Sequence, residues 1–139
     1  IVTGRCRSRS NCHMSKREIT VLTDVTLITC IVQRGIAEDI VAAAQEAGAT
    51  GATIYYARGE GVRERLGILA LAVEAEKEVI IVAVADDQAD HIFERMFIAG
   101  DLDTPGMGFI YMTKLDKAAT HIPEDVLEKI QAADSQTVN

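Results

Sequence analysis

The sequence predicts an α+β fold in which a β-α-β unit occurs twice and packs as one two-layer sandwich. Three observations predict it. Apolar runs of strand length alternate with amphipathic helical segments. The second half of that series repeats the first at an offset of 52 residues. Each of the two long helical segments closes on a glycine, a common helix stop.

Residues 1–13 are set outside the fold. Arg5, Arg7 and Arg9 alternate with cysteine and serine, without hydrophobic period, and read as a disordered tail or added tag. Residues 14–139 are expected to form a single domain with its core in 26–122. The apolar, β-branched run 26–32 is a strand. Residues 36–47 follow as a helix, with Ile36, Ile40, Ala44 and Ala47 on one face and Gly48 as its stop. Residues 52–58 form the second strand and 78–85 the third. The second helix covers 87–99, with Ala89, Ile92, Phe93 and Met96 inward. Asp86 or Asp87 is expected to cap it, and Gly100 to end it. The fourth strand is 108–113. Pro123 followed by Glu124 and Asp125 opens a short terminal helix over 123–132, with acids at the positive end of its dipole.

The repeat ties these elements together. An offset of 52 places Leu27 on Val79, Cys30 on Val82, Ile40 on Ile92, Ala47 on Ala99 and Gly48 on Gly100. A duplicated β-α-β unit with antiparallel middle strands is the ferredoxin-like arrangement. Right-handed crossovers send both helices to one face of the sheet. The opposite face should then be polar, yet Val79 to Val84 is apolar at every position. An uncovered face of that kind is costly, because burying each Val or Ile is worth about 1.5–3 kcal/mol. Association with further copies of the chain is therefore expected.

Composition bounds the function. The chain is 48% hydrophobic and 25% charged, which is globular. A net charge of −7 argues against nucleic acid as a partner, since phosphate binding needs a basic face. No apolar run reaches the roughly 18 residues of a membrane span, and no secretory signal is seen, so a cytoplasmic location is expected. Three cysteines without framework spacing do not make a disulfide scaffold. Cys30 is a small core residue, and the adjacent Cys12 and His13 are a poor metal site. The histidines, His13, His91 and His121, show no spacing to a nucleophile. No catalytic constellation and no metal site are expected, and the chain reads as a non-enzyme.

The informative segment is the long connection over residues 59–77. Connections of that length inside a compact domain are usually functional or disordered. Leu66, Ile68, Leu69, Leu71 and Val73 make it too apolar for simple disorder. It is either a structured extension of the hairpin or a mobile arm whose apolar tip docks on a partner. At its base Gly59 and Gly61 lie among Arg58, Arg63 and Arg65. Glycines let backbone N–H groups approach an anion, and arginines hold phosphate bidentately. A second cluster, Gly106-Met107-Gly108, leads into the fourth strand, and the two clusters are expected to share a cleft.

On these features, in this order and spacing, residues 26–122 resemble the PII signal-transduction family of nitrogen-regulatory proteins. The resemblance implies a homotrimer with the apolar sheet faces packed inside. It implies adenine-nucleotide effectors (ATP, ADP or AMP) in clefts between subunits, no required cofactor, and a long loop that controls a membrane transporter or metabolic enzyme. It places Thr53 near the adenine, Gly59 and Gly61 at the loop base, and Gly106 and Gly108 in the phosphate-cradling turn. The chain also departs from the pattern. Phe109 stands where the family has a lysine, Thr120 and Ile122 fall near its arginine pair, and the loop has no modifiable tyrosine. Each missing charge-assisted contact is worth about 1.5–3 kcal/mol, so altered nucleotide recognition follows, with Arg63 and Arg65 placed to compensate. Two other readings share the fold: a metal-tolerance protein of the CutA type, which needs a ligand cluster, and a small ferredoxin-like enzyme, which needs a convergent polar site.

Overall fold

The structure, a computed structural model, describes residues 2–4, 19–59 and 75–136. It divides into two units, residues 24–115 and a smaller one of residues 1–23 with 116–139. In chain order the elements are β1 (Val2–Gly4), β2 (Ile19–Leu22), β3 (Val25–Gln33), α1 (Ala37–Glu46), β4 (Thr53–Gly59), β5 (Ala75–Ala85), α2 (Asp86–Ala99), β6 (Gly108–Leu115), β7 (Ala118–Ala119) and α3 (Glu124–Gln136).

The larger unit holds the duplicated β-α-β motif. Its sheet runs β4-β5-β3-β6 with every neighbouring pair antiparallel, the ferredoxin-like order. The register explains the core. Ile28, Cys30 and Val32 of β3 and Ile80, Val82 and Val84 of β5 point to one face and are buried. There they meet Ala37, Ile40 and Ala44 of α1 and Ala89, Ile92 and Met96 of α2. Period 2 in the strands and period 3.6 in the helices thus converge on one layer. Burial pushes the Cys30 thiol up to about 12, because a thiolate has no solvation there.

The two helix stops differ in detail. After α1, Gly48 takes φ +111 while its N–H and that of Ala49 bond back to the Gln45 and Ala44 carbonyls, a Schellman stop. After α2, the residue in the left-handed region is Asp101, at φ 51, and not Gly100. At Gly100 a Cβ would lie 3.0 Å from Ile40 Cδ1 and 3.1 Å from Leu102, so those side chains would have to give way slightly.

The helix starts also depart from expectation. Neither Asp86 nor Asp87 makes a side-chain cap on α2. Asp86 instead accepts a 2.5 Å hydrogen bond from Thr26 Oγ1 and pairs with Lys114 Nζ at 2.7 Å, tying α2 to β3 and β6. The α1 start is capped from a distance. The buried carboxylate of Glu78, on β5, accepts the Ala37 N–H at 3.0 Å.

The smaller unit contains a sheet of order β1-β2-β7 and the helix α3. Residues 1–13 were set outside the fold in the sequence, yet Val2–Gly4 pairs antiparallel with Ile19–Leu22. Three-residue strands of this kind carry too little period to be read from sequence. The terminal helix runs to Gln136, beyond the expected 132.

Candidate functional site

The sheet face opposite the helices carries the site. Its residues are the odd-numbered positions of β3 and β5 and their partners. One row crosses all four strands: Tyr55, Val79, Ile31 and Phe109. The next row is Thr53, Ile81, Thr29 and Tyr111. Phe109 and Tyr111 stack with ring centroids 5.8 Å apart, and both remain about half exposed. This confirms the two-faced apolar pattern of the third strand.

At one end of this face an open pocket of ≈ 440 Å³ is lined by Ala57, Arg58 and Gly59 of β4, Lys77 and Val79 of β5, Ile31, and Gly106, Gly108 and Phe109. Register builds it. Ala57 and Gln33 both pair with Lys77, and Val32 pairs with Gly108, so the strand ends of both halves meet at one level. The turn before β6 is pinned to β3. Gln33 Nε2 donates to the Gly106 carbonyl at 2.7 Å, and the Gln33 N–H donates to the Met107 carbonyl at 3.3 Å.

Gly59 therefore lines one cleft with Gly106 and Gly108. Several expected site residues take other places. Met107 turns away and packs against the core. Thr53 stands six strand positions from Gly59, about 20 Å away, and does not line the pocket. Gly61, Arg63, Arg65, Leu66, Ile68, Leu69, Leu71 and Val73 lie outside the described residues. The connection itself is shorter than 59–77, because Gly59 pairs with Ala75 and Lys77 is well inside β5. Gly108 needs another explanation than close approach to a ligand. It takes φ +145, and a Cβ there would overlap the Ile31 carbonyl oxygen and lie 2.9 Å from Val32 Cα. Strand pairing, before any ligand, demands glycine there.

Lys77 was not singled out in the sequence. Extending the third strand back from Glu78 by alternation would have placed it on the open face. It places a cation in the same pocket as Phe109. Among the described residues no carboxylate pairs with it. A neighbouring pocket of ≈ 590 Å³, lined by Arg34, Tyr56, Ala57, Arg58 and Glu76, is differently disposed. There Arg34 is ion-paired with Glu76 and lies 6.0 Å from the Tyr56 ring centroid. An anion would have to displace a carboxylate to reach it. Among the described residues no group of three or more His, Cys, Asp or Glu side chains could hold a metal ion. No described helix is long and apolar enough to cross a membrane.

The strand order and the two helices on one sheet face define an α+β fold of the ferredoxin-like class. The family model for nitrogen regulatory protein P-II matches residues 25–132, and the chain belongs to that family. Among solved structures, Arabidopsis thaliana PII bound to citrate is similar in fold, with TM-score 0.53 and 17% identity over 68% of this chain and 79% of that one. No curated protein sequence matches the chain.

Proposed function

We propose that this chain is a homotrimeric, cytoplasmic regulator of nitrogen metabolism. It senses an adenine nucleotide (ATP, ADP or AMP) and controls a membrane transporter or metabolic enzyme through the segment between β4 and β5. The observation that carries this reading is the pocket joining Arg58 and Gly59 to Gly106 and Gly108, with Lys77 beside them. A cation and glycine backbone at one opening suit an anionic group. Gly61, Arg63 and Arg65 follow Gly59 directly and are proposed to complete the anion's surroundings. The open sheet face supports the trimer: Tyr55, Phe109 and Tyr111 are about half exposed there, a surface that association would cover. In a trimer a second copy would bring its Thr53 to the cleft, which a single chain does not. The citrate in the Arabidopsis protein is an anion bound by a protein of similar fold.

Calorimetric titration with ATP, ADP, AMP, citrate and bicarbonate tests the proposal. A saturable heat with a nucleotide, lost in Lys77→Ala, supports it. If no nucleotide raises the melting temperature even at millimolar concentration, the nucleotide reading fails.

A further inference from the structure

We infer that the outer face of α2 is a docking surface for a basic amphipathic helix of a partner protein, separate from the glycine-lined pocket. A groove of ≈ 440 Å³ there is lined by Phe93, Glu94, Phe97 and Ile98. Ile98 is 69% exposed, although it sits on a helix otherwise patterned for solvent on that side.

The internal repeat supplies a control. At the offset of 52 residues, Ile98 corresponds to Glu46, Phe97 to Gln45 and Phe93 to Val41. Both helices pack on the same sheet face and against each other. The first half satisfies the same fold with an exposed acid and an exposed amide where the second half has isoleucine and phenylalanine. Phe93 and Phe97 also pack against the core, so Ile98 is the one apolar residue that the fold does not require in this groove. Its phenylalanines at i and i+4, with Ile98 beside them, present the spacing that a helix laid in the groove would match.

Charge selects the occupant. Asp87, Asp90 and Glu94 lie along α2 beyond the Asp86–Lys114 pair, and Asp101 and Asp103 follow it. The α2 cation, Arg95, is 3.8 Å from Glu46 and partly neutralised by it. The last turn of α2 carries no basic residue to offset these acids beside Ile98. A partner with apolar side chains at i and i+4 and flanking Lys or Arg meets both features. An anionic lipid surface meets the groove but is repelled by the acids.

The test uses the full chain and two fluorescent synthetic helical peptides. Both carry leucines at i and i+4, one with lysine flanks and one with glutamate flanks. The lysine peptide should bind, with affinity falling as salt rises, and should perturb the amide resonances of α2. Ile98→Glu, which copies Glu46 of the first half, should weaken it by about tenfold or more with an unchanged melting temperature. Glu94→Lys, an exposed change, should shift preference toward the glutamate peptide and keeps the test valid if Ile98→Glu misfolds. The proposal is overturned if neither peptide perturbs α2 at millimolar concentration, or if both bind equally. It is also overturned if Ile98→Glu lowers the oligomeric mass, which would make the groove a contact between copies of this chain.

Discussion

Gly108 shows how one residue type can answer two demands. In sequence it reads as a place where backbone must approach a ligand. In the structure its missing Cβ is what lets β6 pair with β3 at Ile31 and Val32. Gly108→Ala should therefore destabilise the fold by more than the roughly 1–2 kcal/mol of a strained backbone alone, read as the midpoint of urea unfolding. An alanine variant as stable as the parent would show that the close strand approach is absent. Cys30 makes a second test at this scale. Only the thiolate attacks alkylating reagents, and burial holds this thiol near 12. At pH 8 the Cys30 peptide should stay unlabelled by iodoacetamide until denaturant is added. Rapid labelling of the native protein would contradict both the burial and the raised value.

Among the elements, α2 is fastened at its start by Asp86, which reaches Thr26 on one strand and Lys114 on another. The bond from Lys114, and then that from Thr26, hold the Asp86 carboxyl below its ordinary value. A depressed carboxyl stabilises the fold above the ordinary carboxylate range, near pH 4, and loses that contribution as pH falls through the lowered value. Lys114 is raised by Asp86, so its share is present below its ordinary value near 10.4 and is lost as pH rises through the higher one. The melting temperature of Asp86→Asn should thus lie below that of the parent from about pH 5 to 9, and the gap should close in stronger acid. A gap that persists at pH 2 would assign the effect to something other than ionisation. The strands give a paired comparison. Val82 is fully buried under the helices, whereas Ile81 belongs to the open face. Val82→Asp should unfold the chain, because an unpaired buried charge costs several kcal/mol. Ile81→Asp should leave far-ultraviolet circular dichroism intact and act on assembly.

For the whole molecule, assembly is the decisive measurement. Light scattering at micromolar concentration should return about three times the 15.0 kDa chain mass, falling toward one chain in Ile81→Asp. A monomeric parent would remove the trimer and, with it, the route by which Thr53 joins the cleft. Because β4 and β5 stay paired as far as Gly59 and Ala75, deleting residues 66–73 should change thermal stability little. On the proposed function, the same deletion should abolish capture of a partner in a pull-down. Unfolding on deletion would make the segment part of the core instead of an output arm.

Unlike the short strands β1, β2 and β7, the element order within residues 25–115, the 52-residue repeat, the helix-side core and the two-faced third strand were legible in the sequence alone. Each is written in local signals: a period of 2 or 3.6, a glycine stop, a run of β-branched residues. That the end of β4 at Gly59 lies near the turn at Gly106 and Gly108 follows from the fold class, which brings those strand ends together. The partners that complete the site and the core were not legible. Lys77 enters the pocket only through the register of β5 against β3 and β4. Glu78 caps α1 across 41 residues of chain, and Asp86 finds Thr26 across 60. Periodicity assigns a residue to a face, but it does not say which distant atom waits there. Strand order and register decide that, and they exist only once the chain has folded.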